Sequence, residues 1–272
     1  MARTVLRRSS RLQTHTKTLG EPSTSTRVGK GKKSARLCFA TVMRQDESIL
    51  AKEGFDLVAG TDEAGRGPLA GPVIAAACHV PLNLNESWVE QIADSKVLSE
   101  KDRERLYQEL TSHPKVIWAV GMADSEEIDE VNILQSSMLS MHRAVIKLPK
   151  RPDFVLVDGN RKPWGHPEAK RPNGTVRKAD PPMPKGVKGC RAIIKGDKKV
   201  LCIAAASIIA KVTRDRIMYE YDKQFPRYGF SSHKGYPTKL HMSAISKYGP
   251  LPIHRLTFAP LKGMQTKKSV KR

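Results

Sequence analysis

Cysteine is scarce and never clustered. Cys38, Cys78, Cys190 and Cys202 lie far apart with no Cys-x-x-Cys pair, which excludes a zinc site built on such pairs and favours a reducing compartment. Long apolar stretches are also missing. No uncharged run reaches the roughly 18 to 20 residues that a membrane-spanning helix needs, so a soluble protein is expected. Acids are nearly absent from residues 1–44, where Glu21 alone faces eleven lysines and arginines, and that segment has no apolar core of the kind a secretory signal carries. Internal repeats are lacking as well.

What the chain does have is a core and an excess of positive charge. At 272 residues with 39% hydrophobic content it can bury a large domain. Its formal charge of +21 points to a polyanion, nucleic acid first. Residues 1–44 supply +10 of this, which leaves +11 for the remainder, so the folded part is basic too. Residues 1–44 have the composition of a mitochondrial transit segment, with Val5, Leu6 and Leu12 on part of one helical face and Arg3, Arg7, Arg8 and Arg11 on the rest. The alternative is a disordered basic arm that binds nucleic acid or directs nuclear import. Residues 262–272 read as a flexible basic tail.

Between these ends the pattern alternates strand and helix. Apolar runs at 55–62, 72–80, 116–123, 154–159 and 191–197 predict five strands, and helices are expected from 125, over 133–148 and over 200–225. This is the pattern of a layered α/β domain, assigned to residues 45–261. Residues 161–189, with six prolines among many Lys and Arg, read as a basic insertion with little regular structure.

Acids end three of these apolar runs. Asp62 and Glu63 precede the turn Gly65-Arg66-Gly67-Pro68, Asp158 closes the fourth run and Asp197 the fifth. Ligands of open α/β sheets bind where strand ends meet, so the acids can converge across long sequence gaps. Unaided, such a group suffers mutual repulsion and raised pKa values; divalent cations reverse that balance. Mg²⁺ suits the set, and two ions can hold the attacking water and leaving oxygen of a phosphoryl transfer. Neighbours on a strand face opposite ways, so Asp62 and Glu63 are expected to share a site only if the strand ends there. The glycines allow close approach of backbone to a ligand, and Arg66 suits a phosphate or sugar hydroxyl.

Seven ordered blocks carry a resemblance: DEAGRGPLAGPV (62–73), ADSKVLSEKDRERLY (93–107), EIDEVNIL (127–134), VLVDGN (155–160), IIKGD (193–197), AAASIIAKVTRDR (204–216) and YGFSSHKGYPTKLH (228–241). Over about residues 57–261 the chain resembles ribonuclease HII. The resemblance implies a ribonuclease H-like fold, a five-stranded mixed sheet flanked by helices with a helical C-terminal extension. It implies endonucleolytic cleavage of RNA paired with DNA and of single ribonucleotides embedded in duplex DNA, which serves removal of misincorporated ribonucleotides and RNA primers. The four metal-binding acids correspond to Asp62, Glu63, Asp158 and Asp197. Gly65, Arg66 and Gly67 match the motif that recognises the ribose 2′-hydroxyl, Tyr236 the tyrosine that packs on the sugar, and Lys96, Ser207 and Lys211 fall in blocks that line the substrate backbone. The HKGYPT block is similar to the single-subunit bacterial form, which implies activity without partner subunits. The segment between Asp158 and Asp197 departs from the bacterial pattern by its length.

The expected chemistry is hydrolysis with two Mg²⁺ or Mn²⁺ ions that leaves 3′-hydroxyl and 5′-phosphate ends. A non-catalytic duplex-binding protein, or a related nuclease or transposase acting on DNA, would share the acids or the charge. His233 and His241 are read as packing or phosphate contacts, and Ala204–Lys211 as a small-residue helix against a sheet and not a serine nucleophile site.

Overall fold

A computed structural model describes residues 41–92, 98–165, 169–170, 176–177 and 181–265. Lys96, Cys38, most of the N-terminal basic segment, much of the 161–189 insertion and the end of the tail lie outside the described residues.

The elements are α1 (Gln45–Lys52), β1 (Val58–Ala64), β2 (Val73–His79), α2 (Glu100–Ser112), β3 (Ile117–Ala123), α3 (Ser125–Val131), α4 (Ile133–Ile146), β4 (Phe154–Asp158), the two-residue strands β5 (Ala169–Lys170) and β6 (Val176–Arg177), β7 (Gly189–Ile193), α5 (Leu201–Gln224), α6 (Phe230–His233) and α7 (Lys239–Tyr248). Five strands form one mixed sheet in the order β3-β2-β1-β4-β7. β1, β2 and β3 make an antiparallel meander, while β4 and β7 run parallel to β1. β5 and β6 pair only with each other, inside the proline-rich insertion.

β2 explains the layering. Its side chains alternate between two cores: Ile74, Ala76 and Cys78 pack with α2 and α5, whereas Ala75 and Ala77 pack with α4. Strands covered on both faces are apolar throughout, and alanine lets both helices come close. Two glycines take this further. A Cβ on Gly60 would overlap the Cys202–Ile203 backbone of α5, and one on Gly121 would overlap the Ser140 carbonyl of α4. The helices therefore cross the sheet where it has no side chain.

The folded part reaches back past the boundary drawn at residue 45. Met43 is buried in the core and the Arg44 guanidinium donates to the Pro81 carbonyl at 2.9 Å. In α1, Glu47 is buried and its carboxylate accepts from Cys202 N at 3.0 Å. No side chain of α5's own N-cap residue does so, so Glu47 caps the longest helix from a distant part of the chain, where negative charge also suits the helix dipole. Burial holds Glu47 up at about 7. A cavity of about 230 Å³ beside it is lined by Phe55, His79 and Pro81 and lies apart from the acids at the strand ends.

Among the described residues no helix is long and apolar enough to cross a membrane, and Cys78, Cys190 and Cys202 are free thiols. Gly60→Ala is expected to destabilise the fold by about 2–3 kcal/mol through overpacking, read as a shifted urea midpoint; an unchanged midpoint would show that α5 can move off β1.

Candidate active site

Sheet register brings the first acids together. β1 and β4 stay paired only as far as Thr61 and Val157, so Asp62 and Asp158 are the next residues on adjacent parallel strands. β1 does not end at Asp62 as the turn signal suggested; its pairing with β2 continues to Ala64 opposite Ile74. Asp62 and Glu63 thus both sit within a strand, yet the pairing with β4 has already stopped and both carboxylates still feel the charge of Asp158, so strand alternation does not separate them as expected. Asp62 is buried and takes a hydrogen bond from the Ser207 hydroxyl of α5, while Glu63 meets Arg66 at 3.2 Å.

Asp197 arrives by a different route from the one its sequence position suggests. β7 stops at Ile193, Lys195 takes a left-handed conformation (φ 57°), and Asp197 lies in a 3-10 turn over Gly196–Lys198. Asp158 builds that turn: its Oδ1 accepts from Gly196 N at 2.7 Å and from Asp197 N at 3.3 Å. One carboxylate therefore places another.

The electrostatics follow from this crowding. Burial first, then the charges of Glu63 and Asp158, raise Asp62 well above the usual carboxylate range. Glu63 is raised as well, by burial, with Arg66 opposing and Asp158 adding to the shift. Such a corner is short of positive charge. Among the described residues no three His, Cys, Asp or Glu side chains are already closed around a cation position. Asp62, Glu63 and Asp158 are each held by protein donors instead, through Ser207 and Glu63 N, Arg66, and the Gly196 and Asp197 amides. An all-carboxylate set of this kind fits a hard divalent cation, which takes over the part those donors play.

Beside the acids lies the glycine turn. Gly65 has φ 99°, and a Cβ there would overlap the Arg214 side chain, so only glycine fits. The Tyr236 ring lies against Gly67 and stays 44% exposed, open to a ligand. Lys211 is turned along α5 to Asp215 at 2.6 Å, and the acids at the strand ends are not its partners. Two buried arginines had no signal in the sequence: Arg214 donates to the Ala70 and Pro72 carbonyls, and Arg255 to those of Gly65, Arg66 and Gly71. Burial and Arg214 draw Arg255 down to about 9, which leaves it a cation at neutral pH.

The ribonuclease HII family profile matches residues 59–261. The chain belongs to the ribonuclease HII family. It is 45% identical over 234 residues to a ribonuclease HII of Endomicrobium trichonymphae, with 85% of this chain and 100% of the relative covered. A ribonuclease HII of Aliivibrio fischeri is 46% identical over 210 residues, 77% of this chain and 89% of the relative. Among solved structures, the ribonuclease H2 of Pyrococcus horikoshii matches with a TM-score of 0.55 and 29% identity over 75% of this chain and 94% of that one. A Bst ribonuclease HIII solved with Mn²⁺ shares the fold at TM-score 0.54 and 18% identity, covering 80% of this chain and 72% of that one. The protein is a ribonuclease H, and its mixed sheet and flanking helices are those of the ribonuclease H2 and H3 structures.

His233 and His241 pack, as expected, with His254 as a third member. Their hydrogen bonds fix every proton: Leu251 N–H donates to His254 Nδ1, His254 Nε2–H to His241 Nε2 at 3.1 Å, and His241 Nδ1–H to the Tyr236 carbonyl at 3.0 Å. His233 Nε2–H donates to the Tyr228 carbonyl while its Nδ1 accepts from Gly235 N. A further proton on His241 or His254 would set two N–H groups against each other. Burial, with the neighbouring histidines, accordingly draws both down to about 4, and burial lowers His233 too, despite Asp222 nearby. Unfolded histidines titrate near 6.5, so between about 6.5 and 4 the unfolded chain gains protons that the folded one refuses. Stability is full above that window and is lost as pH falls through it. We expect a loss of roughly 2–4 kcal/mol from His241 and His254 together between pH 7 and pH 5, with ¹⁵N shifts still showing neutral rings at pH 5.5; charged rings there would refute the arrangement.

Proposed function

We propose that this ribonuclease H cuts the RNA strand of RNA–DNA hybrids, and duplex DNA at single embedded ribonucleotides, to give 3′-hydroxyl and 5′-phosphate ends. The observation that carries the reading is the meeting of Asp62, Asp158 and the Asp197 turn at one end of the sheet, next to Gly65–Gly67 and Tyr236. Asp62, Glu63, Asp158 and Asp197 would hold two Mg²⁺ or Mn²⁺ ions. Bound there, the ions supply Lewis acidity for the scissile phosphate and lower the pKa of the attacking water.

The chain's own residues do the rest. Asp62 is held by Ser207 from below, so its position is fixed before substrate arrives. Asp158, through the Gly196 and Asp197 amides, sets the turn that presents Asp197. Arg66 neutralises Glu63 and stays exposed toward a phosphate. RNA differs from DNA by its 2′-hydroxyl, and a glycine turn with an adjoining aromatic ring can read that group at close range. Lys96 and Lys211 are assigned to phosphate contacts, which bind without sequence preference, and Lys211 would exchange its present partner Asp215 for the phosphate. Activity without partner subunits is part of the proposal, as is an organelle-targeting role of residues 1–44, mitochondrial before nuclear, which imaging of a fusion decides.

The test compares matched duplexes holding zero, one or four ribonucleotides, with and without Mg²⁺. Cleavage is expected for one and four, only with metal, and Asp158→Asn should lower the rate at saturating Mg²⁺ by at least about a hundredfold. Wild-type rates in that variant, or cutting of the all-DNA duplex, would defeat the proposal.

A further inference from the structure

Arg255 is completely buried, and among the described residues no acid forms an ion pair with it. Its partners are backbone carbonyls. Nη2 donates to Gly65 O at 2.6 Å and Gly71 O at 2.8 Å, Nη1 to Arg66 O at 3.0 Å and Nε to Gly71 O at 3.0 Å, while its own amide donates to Leu69 O at 2.8 Å. Burying a guanidinium is costly, and an apolar side chain of similar size commonly serves stability as well or better. Packing alone therefore does not account for it.

Peptide planarity gives the residue a second consequence. In a trans peptide the carbonyl of one residue and the N–H of the next point in opposite directions. With the Gly65 and Arg66 carbonyls drawn inward to the guanidinium, the Arg66 and Gly67 N–H groups face away from it, in a turn where Arg66 is exposed and the Tyr236 ring lies close to Gly67. Among the described residues neither amide donates to another protein group. Successive outward N–H groups form a cradle for an oxygen acceptor. The positive φ of Gly65 and the overlap that a Cβ there would make with Arg214 fix the start of the turn.

We propose that Arg255 is a positioning residue for substrate recognition: it fixes the Gly65–Arg66–Gly67 peptides so that two amides present themselves to the 2′-oxygen of a ribonucleotide. This rests on the reading of the turn as the sugar-sensing element; what it adds is the side chain, 189 residues away from Arg66, that sets the turn's peptides.

The experiment measures affinity of the full chain, without divalent metal, for a duplex with one ribonucleotide and for the matched all-DNA duplex. Wild type should prefer the former. Arg255→Lys and Arg255→Met should cut that preference by about tenfold, the scale of one or two hydrogen bonds, with all-DNA affinity changed less than about twofold. Gly67→Ala, whose methyl would stand 3.5 Å from a Tyr236 ring carbon, between the turn and the ring proposed to hold the sugar, should abolish the preference. If wild type shows none, or Gly67→Ala keeps it, the reading of the turn fails. If Gly67→Ala loses it while either Arg255 variant keeps it, the role of Arg255 is overturned. Should neither variant fold, NMR of wild type decides. Scalar couplings from the Arg255 guanidinium to the Gly65 and Arg66 carbonyl carbons should persist in the complex while the Arg66 and Gly67 amides shift with the ribonucleotide duplex and not with DNA; loss of the couplings on binding would overturn the assignment.

Discussion

Mutual repulsion among carboxylates is the constraint around which this molecule is built. Asp62, Glu63 and Asp158 stand on neighbouring strand positions, and Asp62 and Glu63 are pushed toward their neutral forms by burial and by the charge of Asp158, with Glu63 adding to the shift of Asp62. Such a group persists only where the fold fixes its members independently of their attraction for anything else. Strand pairing does this for Asp62 and Asp158, and amide donors do it for the turn that bears Asp197. Attraction between the carboxylates themselves plays no part in holding it together.

The helix α5 connects that corner to the rest of the chain. Its small residues let it lie directly on β1, at Gly60, and this closeness puts Ser207 within reach of Asp62. Farther along the same helix, Arg214 reaches the carbonyls of the loop that follows the acids. Its first turn is capped by Glu47 from α1. A register change in α5 by one residue would therefore disturb the acid corner, the glycine turn and the helix start together.

Much of this could be read from the residues, because strands and long helices advertise themselves by periodicity. The five main strands and the helices over 133–148 and 200–225 stand close to their expected places. The acids were legible because a carboxylate after an apolar run is unusual, and Ser207 as a small residue against the sheet. Other features had no local signature. Asp197 looks like a strand end, yet the left-handed Lys195 and the amide bonds to Asp158 are tertiary facts. Glu47 carries no mark in the sequence pattern, and only its distant partner at Cys202 shows why it is buried. Arg255 is one arginine among many in a basic chain, and burial against carbonyls leaves no mark on sequence pattern.

The chain around α7 is bonded to the loop that follows the acids and is not an appendage to it. Leu69 N donates to Gly235 O, Gly71 N to Ile253 O, and Arg255 N to Leu69 O, so the loop after the acids is bonded to the chain on both sides of α7. The histidine stack ties the same region to Tyr236 through its carbonyl. The two charge signs are thereby kept apart on one short loop: acids on the strand before it, guanidinium groups beneath its carbonyls. In the Gly65–Arg66 and Arg66–Gly67 peptides the oxygen lies on the buried Arg255 and the N–H is directed away from it. On the proposed reading, a polyanionic substrate drawn in by the surplus of lysine and arginine would meet donors at the sugar and acids at the phosphate, and affinity would come from charge while the choice of RNA over DNA came from geometry.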